Sequence, residues 1–159
     1  MNKKKDSPRI VEIVNKKASR NYDITETIEA GIVLFGPEVK SLRNGKGDIS
    51  DAYCHPKNKE LFVINLRIEP YFNASIFNQD PLRTRKLLLH KKEIVKLAMK
   101  IKEKQLTLVP LKIYFSKTGK VKILLGLGKG KKLYDKREDE KKREADREIA
   151  QGLKNRNRI

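Results

Sequence analysis

Large apolar side chains become scarce after Gly128, and that break limits what the chain can fold into. The 31 residues from Lys129 to Ile159 hold 12 Lys plus Arg against 7 Asp plus Glu. A segment so charged cannot bury enough surface to build a second core. Glu138 with Lys142 and Asp139 with Arg143 stand at favourable i, i+4 spacing, and Ala145, Ile149 and Leu153 make a narrow stripe. Such pairs stabilise an isolated helix by only about 0.2–0.5 kcal/mol each. The reading is one domain over residues 10–128, preceded by a flexible basic arm (1–9) that ends near Pro8. A basic C-terminal tail (129–159), helical or disordered by itself, follows and is expected to order on a partner.

Within 10–128 the pattern is mainly that of strands. Tyr22 to Leu34 alternates apolar and polar residues with many β-branched positions, which predicts a strand, with Gly31 as a bulge or bend. Gly36 to Gly45 has Pro just inside its start, Glu in the first turn and Gly after its end, the signature of a short helix. Ile49–His55 and Glu60–Ile68 flank Pro56-Lys57-Asn58-Lys59 and read as a hairpin. Pro70 to Arg85 reads as an irregular, polar connection. Leu87, Ile94, Leu97, Ala98 and Ile101 recur at helical spacing, with lysines on the other faces. Leu106–Phe115 and Val121–Leu127 flank a turn at Gly119 and predict a second hairpin. Five or six strands with two or three helices suit a small closed antiparallel barrel like that of oligonucleotide-binding (OB) proteins. Gly126, Gly128 and Gly130 read as a flexible joint to the tail; with no P-loop spacing they predict no nucleotide site.

Charge narrows the function. The formal net charge is +18, of which the tail carries +5 and the body +13. A polyanion is the expected partner, and phosphate contacts by Lys and Arg would make binding salt-dependent. No apolar run is long enough to span a bilayer, and Asp6, Ser7 and Pro8 follow the basic start where a signal peptide would turn apolar, so a cytoplasmic protein without a membrane partner is expected. Cys54 is the sole cysteine, which forbids an intrachain disulfide and reads as a small core or strand residue. Cys54 and His55 are adjacent and His90 is remote, so no metal site, no cofactor and no catalytic constellation is read; the chain is not expected to be an enzyme.

Four blocks carry a family resemblance. They are Glu29-Ala30-Gly31-Ile32-Val33-Leu34 leading into Gly36-Pro37-Glu38-Val39-Lys40-Ser41-Leu42-Arg43; Asp80 to Lys91, DPLRTRKLLLHK; Leu106 to Phe115, LTLVPLKIYF; and Gly130 to Arg137, GKKLYDKR. In this order, over nearly the whole chain, they resemble the SmpB family, the proteins that bind transfer-messenger RNA (tmRNA). The resemblance implies an OB-like barrel that grips the tRNA-like domain of tmRNA. It further implies a tail that enters the ribosomal decoding region against small-subunit rRNA, occupying the empty mRNA channel. The protein would then be a non-catalytic adaptor of trans-translation, a monomer bound one-to-one with tmRNA, delivering it to stalled ribosomes for rescue and tagging of incomplete proteins. The alternative is a generic OB-type RNA-binding or ribosome-associated protein without tmRNA specificity.

Residue by residue, the resemblance marks Asn15, Lys16, Tyr22, Glu38, Lys40, Ser41, Arg43, Arg83, Arg85, Lys86, His90 and Lys91 for tmRNA. It marks Lys129, Lys131, Lys132, Tyr134, Asp135, Lys136 and Arg137 for the ribosome. Arg83, Arg85 and Lys86 sit among turn residues, where guanidinium forks can reach phosphate or simply carry surface charge. Glu38 is odd for an RNA-facing motif. It can orient Lys40 or Arg43, accept from base amino groups, or favour a helix N-terminus. Tyr22 can stack on a base or be a buried strand tyrosine; Tyr134, in a tail without a core, reads as a stacking residue. Leu87, Leu88 and Leu89 read as packing. Arg20-Asn21, Arg67, Gln79 and Gln105 depart from the family pattern, Gln105 standing where glycine is usual.

Overall fold

The computed structural model describes residues 11–156. The expected 1–9 arm lies outside them. In chain order the elements are β1 (Glu12–Val14), α1 (Ala18–Asn21), β2 (Tyr22–Ile32), α2 (Gly36–Arg43), β3 (Gly47–Asp48), β4 (Tyr53–Lys57), β5 (Glu60–Ile64) and β6 (Arg67–Ile68). A 3-10 turn (Ser75–Phe77), β7 (Arg85–Leu88), α3 (Lys91–Lys104), β8 (Thr107–Phe115), β9 (Val121–Gly130) and α4 (Leu133–Arg156) complete the chain.

Six strands pair in a closed antiparallel ring in the order β8-β4-β5-β7-β2-β9, and β9 returns to β8 from Val121 to Gly128. This is the closed β body the sequence predicts. A single pair, Cys54 with Leu108, joins β4 to β8, and β1 occupies the rest of that edge, with Ile13 opposite Ile113. Closure leaves few unpaired edges, which suits a short-stranded body of this size. Inward residues alternate: Leu61 and Val63 of β5, Leu87 of β7, and Ile123, Leu125 and Leu127 of β9 are each 1% exposed or less. α3 covers the core with Ile94 and Leu97.

Several expectations change. Leu87 belongs to β7, and the helix begins at Lys91. β7 escapes a reading by alternation because its first inward residue is Arg85. The two strands read from Ile49 to Ile68 are shorter, with Pro56 inside β4 opposite Leu61 and a tight turn at Asn58 and Lys59, both at positive φ. The bulge in β2 lies between Ile24 and Glu26, and Gly31 pairs regularly with Leu88.

The glycines read as a joint are part of β9. A Cβ on Gly128 would stand 2.4 Å from the Asp23 carbonyl oxygen, so glycine is what lets β2 and β9 meet there. Gln105 closes α3 at φ 51°, the left-handed conformation that glycine adopts without strain. The tail is a 24-residue helix with no buried side chain. No described helix is long and apolar enough to cross a membrane.

Candidate RNA interface

α2 enters with Pro37 in its first turn and Glu38 at the third position, whose carboxylate accepts from the Phe35 amide at 3.0 Å. That much is ordinary capping. The same carboxylate also joins two arginines from the chain segment ahead of and inside β7. Glu38 Oε1 accepts from Arg83 at 2.5 Å, and Oε2 accepts from Arg85 Nε at 2.6 Å and pairs with its Nη2 at 2.5 Å. Arg85 is fully buried. Its other hydrogen bonds reach the carbonyls of Leu66 (2.6 Å), Arg83 (3.0 Å) and Pro81 (3.2 Å), so each of the three guanidinium nitrogens has an acceptor.

Burial alone would raise the Glu38 carboxyl, but hydrogen bonds from Arg83, the Phe35 amide and Arg85 together hold it below the ordinary carboxylate value. Burial also lowers the Arg85 guanidinium, against the opposing pull of Glu38. Arg83 is the exposed arm of the triad. Its side chain is 22% exposed and lies over the Phe35 ring, 4.7 Å from the centroid. Glu38 thus orients Arg83, where the sequence suggested Lys40 or Arg43.

Beside this triad opens a cleft of about 750 Å³ lined by Phe35, Pro37, Lys40, Tyr71, Ile76 and Phe77. Lys40 Nζ stands 5.6 Å from the Tyr71 ring centroid. The loop carrying Tyr71 is closed by Asn78, whose side-chain amide exchanges two 2.9 Å hydrogen bonds with the Tyr71 backbone. Closed in this way, the loop turns its apolar residues outward: Phe72 is 81% exposed, Ile76 84% and Phe77 70%. Aromatic faces interleaved with Lys40 and Arg83 are the chemistry that stacks unpaired bases and holds phosphate. The sequence reading missed this surface by treating the segment as polar. The signal was the apolar composition of Tyr71-Phe72 and Ile76-Phe77 in a stretch with neither strand nor helix periodicity.

Besides Glu38, three residues marked for RNA are buried. Arg85 cannot offer its guanidinium to phosphate, because the Glu38 carboxylate and three carbonyls hold it inside. Ser41 donates from Oγ to the Glu69 carbonyl at 2.6 Å. Asn15 donates from Nδ2 to the carbonyls of Ile49 (3.1 Å) and Pro110 (2.9 Å), and its Oδ1 accepts from the amides of Lys17 and Ala18. Such groups shape the surface from beneath. Asn15 stands 34 residues from Ile49 and 95 from Pro110 in sequence.

The marked residues also fall into separate places. Lys40, Arg43 and Arg83 lie around α2, with Arg43 over the Phe115 ring. Lys16 and Tyr22 lie at the other end of β2, about 30 Å away along an eleven-residue strand. There Tyr22 is half-buried and opposite Gly130, so this corner is also the root of the tail. Lys86 is exposed on β7 and pairs with Glu60. His90 precedes α3, its amide donating to Glu93, and Lys91 opens that helix. In the tail segment Lys129 remains in β9, Lys131 donates from its amide to the Asn21 carbonyl, and Tyr134 is 70% exposed. Lys132, Asp135 and Arg137 are exposed, and Lys136 is half-buried.

Residues 12–155 match the sequence model of the family described as SmpB protein. The chain belongs to the SmpB family. It is 57% identical over 150 residues to the SsrA-binding protein of Acetivibrio thermocellus, spanning 94% of this chain and 96% of that one. To the SsrA-binding protein of Enterococcus faecalis it is 54% identical over 144 residues, 91% and 93% of the two chains. A solved structure described as "tmRNA-SmpB: a journey to the center of the bacterial ribosome" holds a chain 51% identical to this one. It superposes with a TM-score of 0.66, covering 77% of this chain and 86% of that one.

For an SmpB-family surface of this kind, free cations and buried ones should separate in a salt titration. Lys40→Ala is expected to flatten the plot of log affinity against log salt by about one unit, as loss of one phosphate contact does. Arg85→Ala should lower stability and leave the slope of the folded fraction unchanged. Equal slopes for Lys40→Ala and the parent would remove Lys40 from the interface.

Proposed function

We propose that this SmpB-family chain is a non-catalytic RNA-binding adaptor that binds the tRNA-like domain of SsrA, the tmRNA, and brings it to stalled ribosomes for tagging. The observation that carries the reading is the match to SsrA-binding proteins over more than nine-tenths of the chain. The aromatic and basic cleft beside Arg83 supports it by supplying a surface for unpaired bases and phosphate. In this reading Lys40, Arg43, Arg83 and the aromatics of the 71–77 loop meet tmRNA. Lys16 and Tyr22 form a second contact at the tail root, and Lys86, His90 and Lys91 add cationic reach along the flank. Asn15, Ser41, Glu38 and Arg85 hold those contacts in place. The tail, with Lys129, Lys131, Lys132, Tyr134, Asp135, Lys136 and Arg137 at its head, occupies the decoding region. The adaptor works as a monomer, one to one with tmRNA, in the cytoplasm where ribosomes translate.

At about 0.15 M salt the chain should prefer a tRNA-like domain over an unrelated hairpin of equal length. Equal affinity for the two would leave only a generic RNA binder. Ending the chain at Gly130 should leave tmRNA binding close to that of the full chain and abolish tagging on stalled ribosomes. Parallel loss of both activities would refute the division between body and tail.

A further inference from the structure

Exposed apolar side chains gather at a second place, the seam between α3 and the turn that joins β4 to β5. The seam holds a groove of about 270 Å³ lined by Pro56, Val95, Ala98 and Met99. Val95 is 40% exposed and Met99 55%. On one side the groove is fixed by Ile94 and Leu97, whose burial in the core seats α3. On the other, Lys57 stands opposite Glu60 in the β4–β5 ladder, and Asn58 and Lys59, at φ 51° and 60°, close the turn between them. Both walls are therefore in place before any partner arrives.

Lys57, Lys59 and Lys102 line the same groove, and no carboxylate and no aromatic ring does. All three lysines are exposed. Among the described residues none of them pairs with a carboxylate. Glu60, the acid that ends the turn, is taken by Lys86 at 2.8 Å. Bare apolar side chains among uncompensated cations suit an occupant of the inverse kind, with apolar groups to cover Val95 and Met99 and carboxylates to meet the lysines. RNA would satisfy the lysines with phosphate, but its bases would find no ring to stack on. The groove is also smaller than the roughly 300–1,000 Å³ of small-molecule sites, so it fits side chains of a larger partner.

We propose that the groove between α3 and the β4–β5 turn docks an acidic segment of a protein partner, one or two of whose apolar side chains cover Val95 and Met99 while its carboxylates pair with Lys57, Lys59 and Lys102. Met99 sets the tolerance of the site, because an unbranched thioether repacks around leucine, isoleucine or phenylalanine alike. The lysines set the sign of the partner. Each exposed pair adds little and is screened by salt, so the contact is of modest affinity and is readily made and broken. The groove shares no lining residue with the cleft beside Arg83, so a protein here and RNA there do not compete for a side chain.

Met1 and Met99 are the only methionines, so isotope labelling of the methionine methyl groups in the full chain puts a single NMR signal in the groove. The probe is a synthetic peptide of about twelve residues, rich in Asp and Glu around two leucines, added at about 0.15 M salt. The Met99 signal should shift and saturate while the Met1 signal stays. Replacing both leucines of the peptide by serine should weaken binding at least about tenfold, the loss of several buried methylenes. Lys57→Gln combined with Lys102→Gln should weaken it about two- to thirtyfold, the product of two exposed pairs, with an unchanged melting curve. A tRNA-like RNA should leave the peptide bound. A peptide that binds without moving Met99, or as well with serines, or as well to the double lysine variant, is held by general attraction to a basic surface and overturns the proposal. RNA that moves Met99 and displaces the peptide makes the groove a nucleic-acid surface and overturns it too.

Discussion

Glu38→Ala is expected to lower the free energy of unfolding by about 3–5 kcal/mol, measured by urea denaturation at neutral pH. The loss comes from the partner left behind. Arg85 has no exposure and, among the described residues, pairs with no carboxylate but Glu38, so removing Glu38 strands a charge in the core. Replacing both residues together, Glu38→Leu with Arg85→Met, should recover much of the stability, because a buried pair exchanged for apolar groups of similar size is often neutral. The double variant should still bind tmRNA weakly, since Arg83 would lose the carboxylate that aims it. Acid should imitate the single variant. The Glu38 carboxyl titrates lower in the folded chain than its ordinary value of 4.5, so its contribution is fully present above 4.5 and is lost as pH falls through the lower folded value. Stability of Glu38→Ala that matches the parent and falls with acid along the same curve would show that the triad does not hold the fold.

Phe72→Ala with Phe77→Ala is expected to weaken binding of the tRNA-like domain far more than any single lysine change. Stacking contributes about 1–3 kcal/mol per base, roughly 5- to 150-fold for each ring that carries one. Thermal unfolding should hardly move, because the two rings are 81% and 70% exposed and support no core. A binding titration of the double variant at constant salt checks this. Affinity equal to the parent's, with an unchanged melting curve, would take the aromatic loop out of the interface.

The sequence carried the closed β body well wherever inward positions were apolar. β2 follows from alternation, β8 and β9 from apolar, β-branched runs on either side of Gly119, and α3 from the stripe of Ile94, Leu97, Ala98 and Ile101, to which the spacing wrongly joins Leu87. It carried β7 badly, because Arg85 occupies a core position and its partner Glu38 is 47 residues away; no local pattern announces a buried ion pair. The same long-range pairing hid the difference between Arg83, which is available to a ligand, and Arg85, which is not. The aromatic loop was hidden for the opposite reason. Its rings point outward only because Asn78 closes the loop beneath them. The fused corner of Tyr22, Arg20 and the tail root follows from the register of Tyr22 with Gly130, which no spacing in the chain reveals.

Strand β2 runs from that corner to Ile32, shortly before α2, paired for most of its length to β9 and interrupted only by the bulge between Ile24 and Glu26. It therefore behaves as a ruler. A ligand gripped at the Arg83 cleft and a helix leaving from Gly130 are spaced by a hydrogen-bonded ladder, and a ladder resists stretching far better than a loop does. Whatever seats the cleft also aims the tail, as a handle aims the blade fixed to its far end.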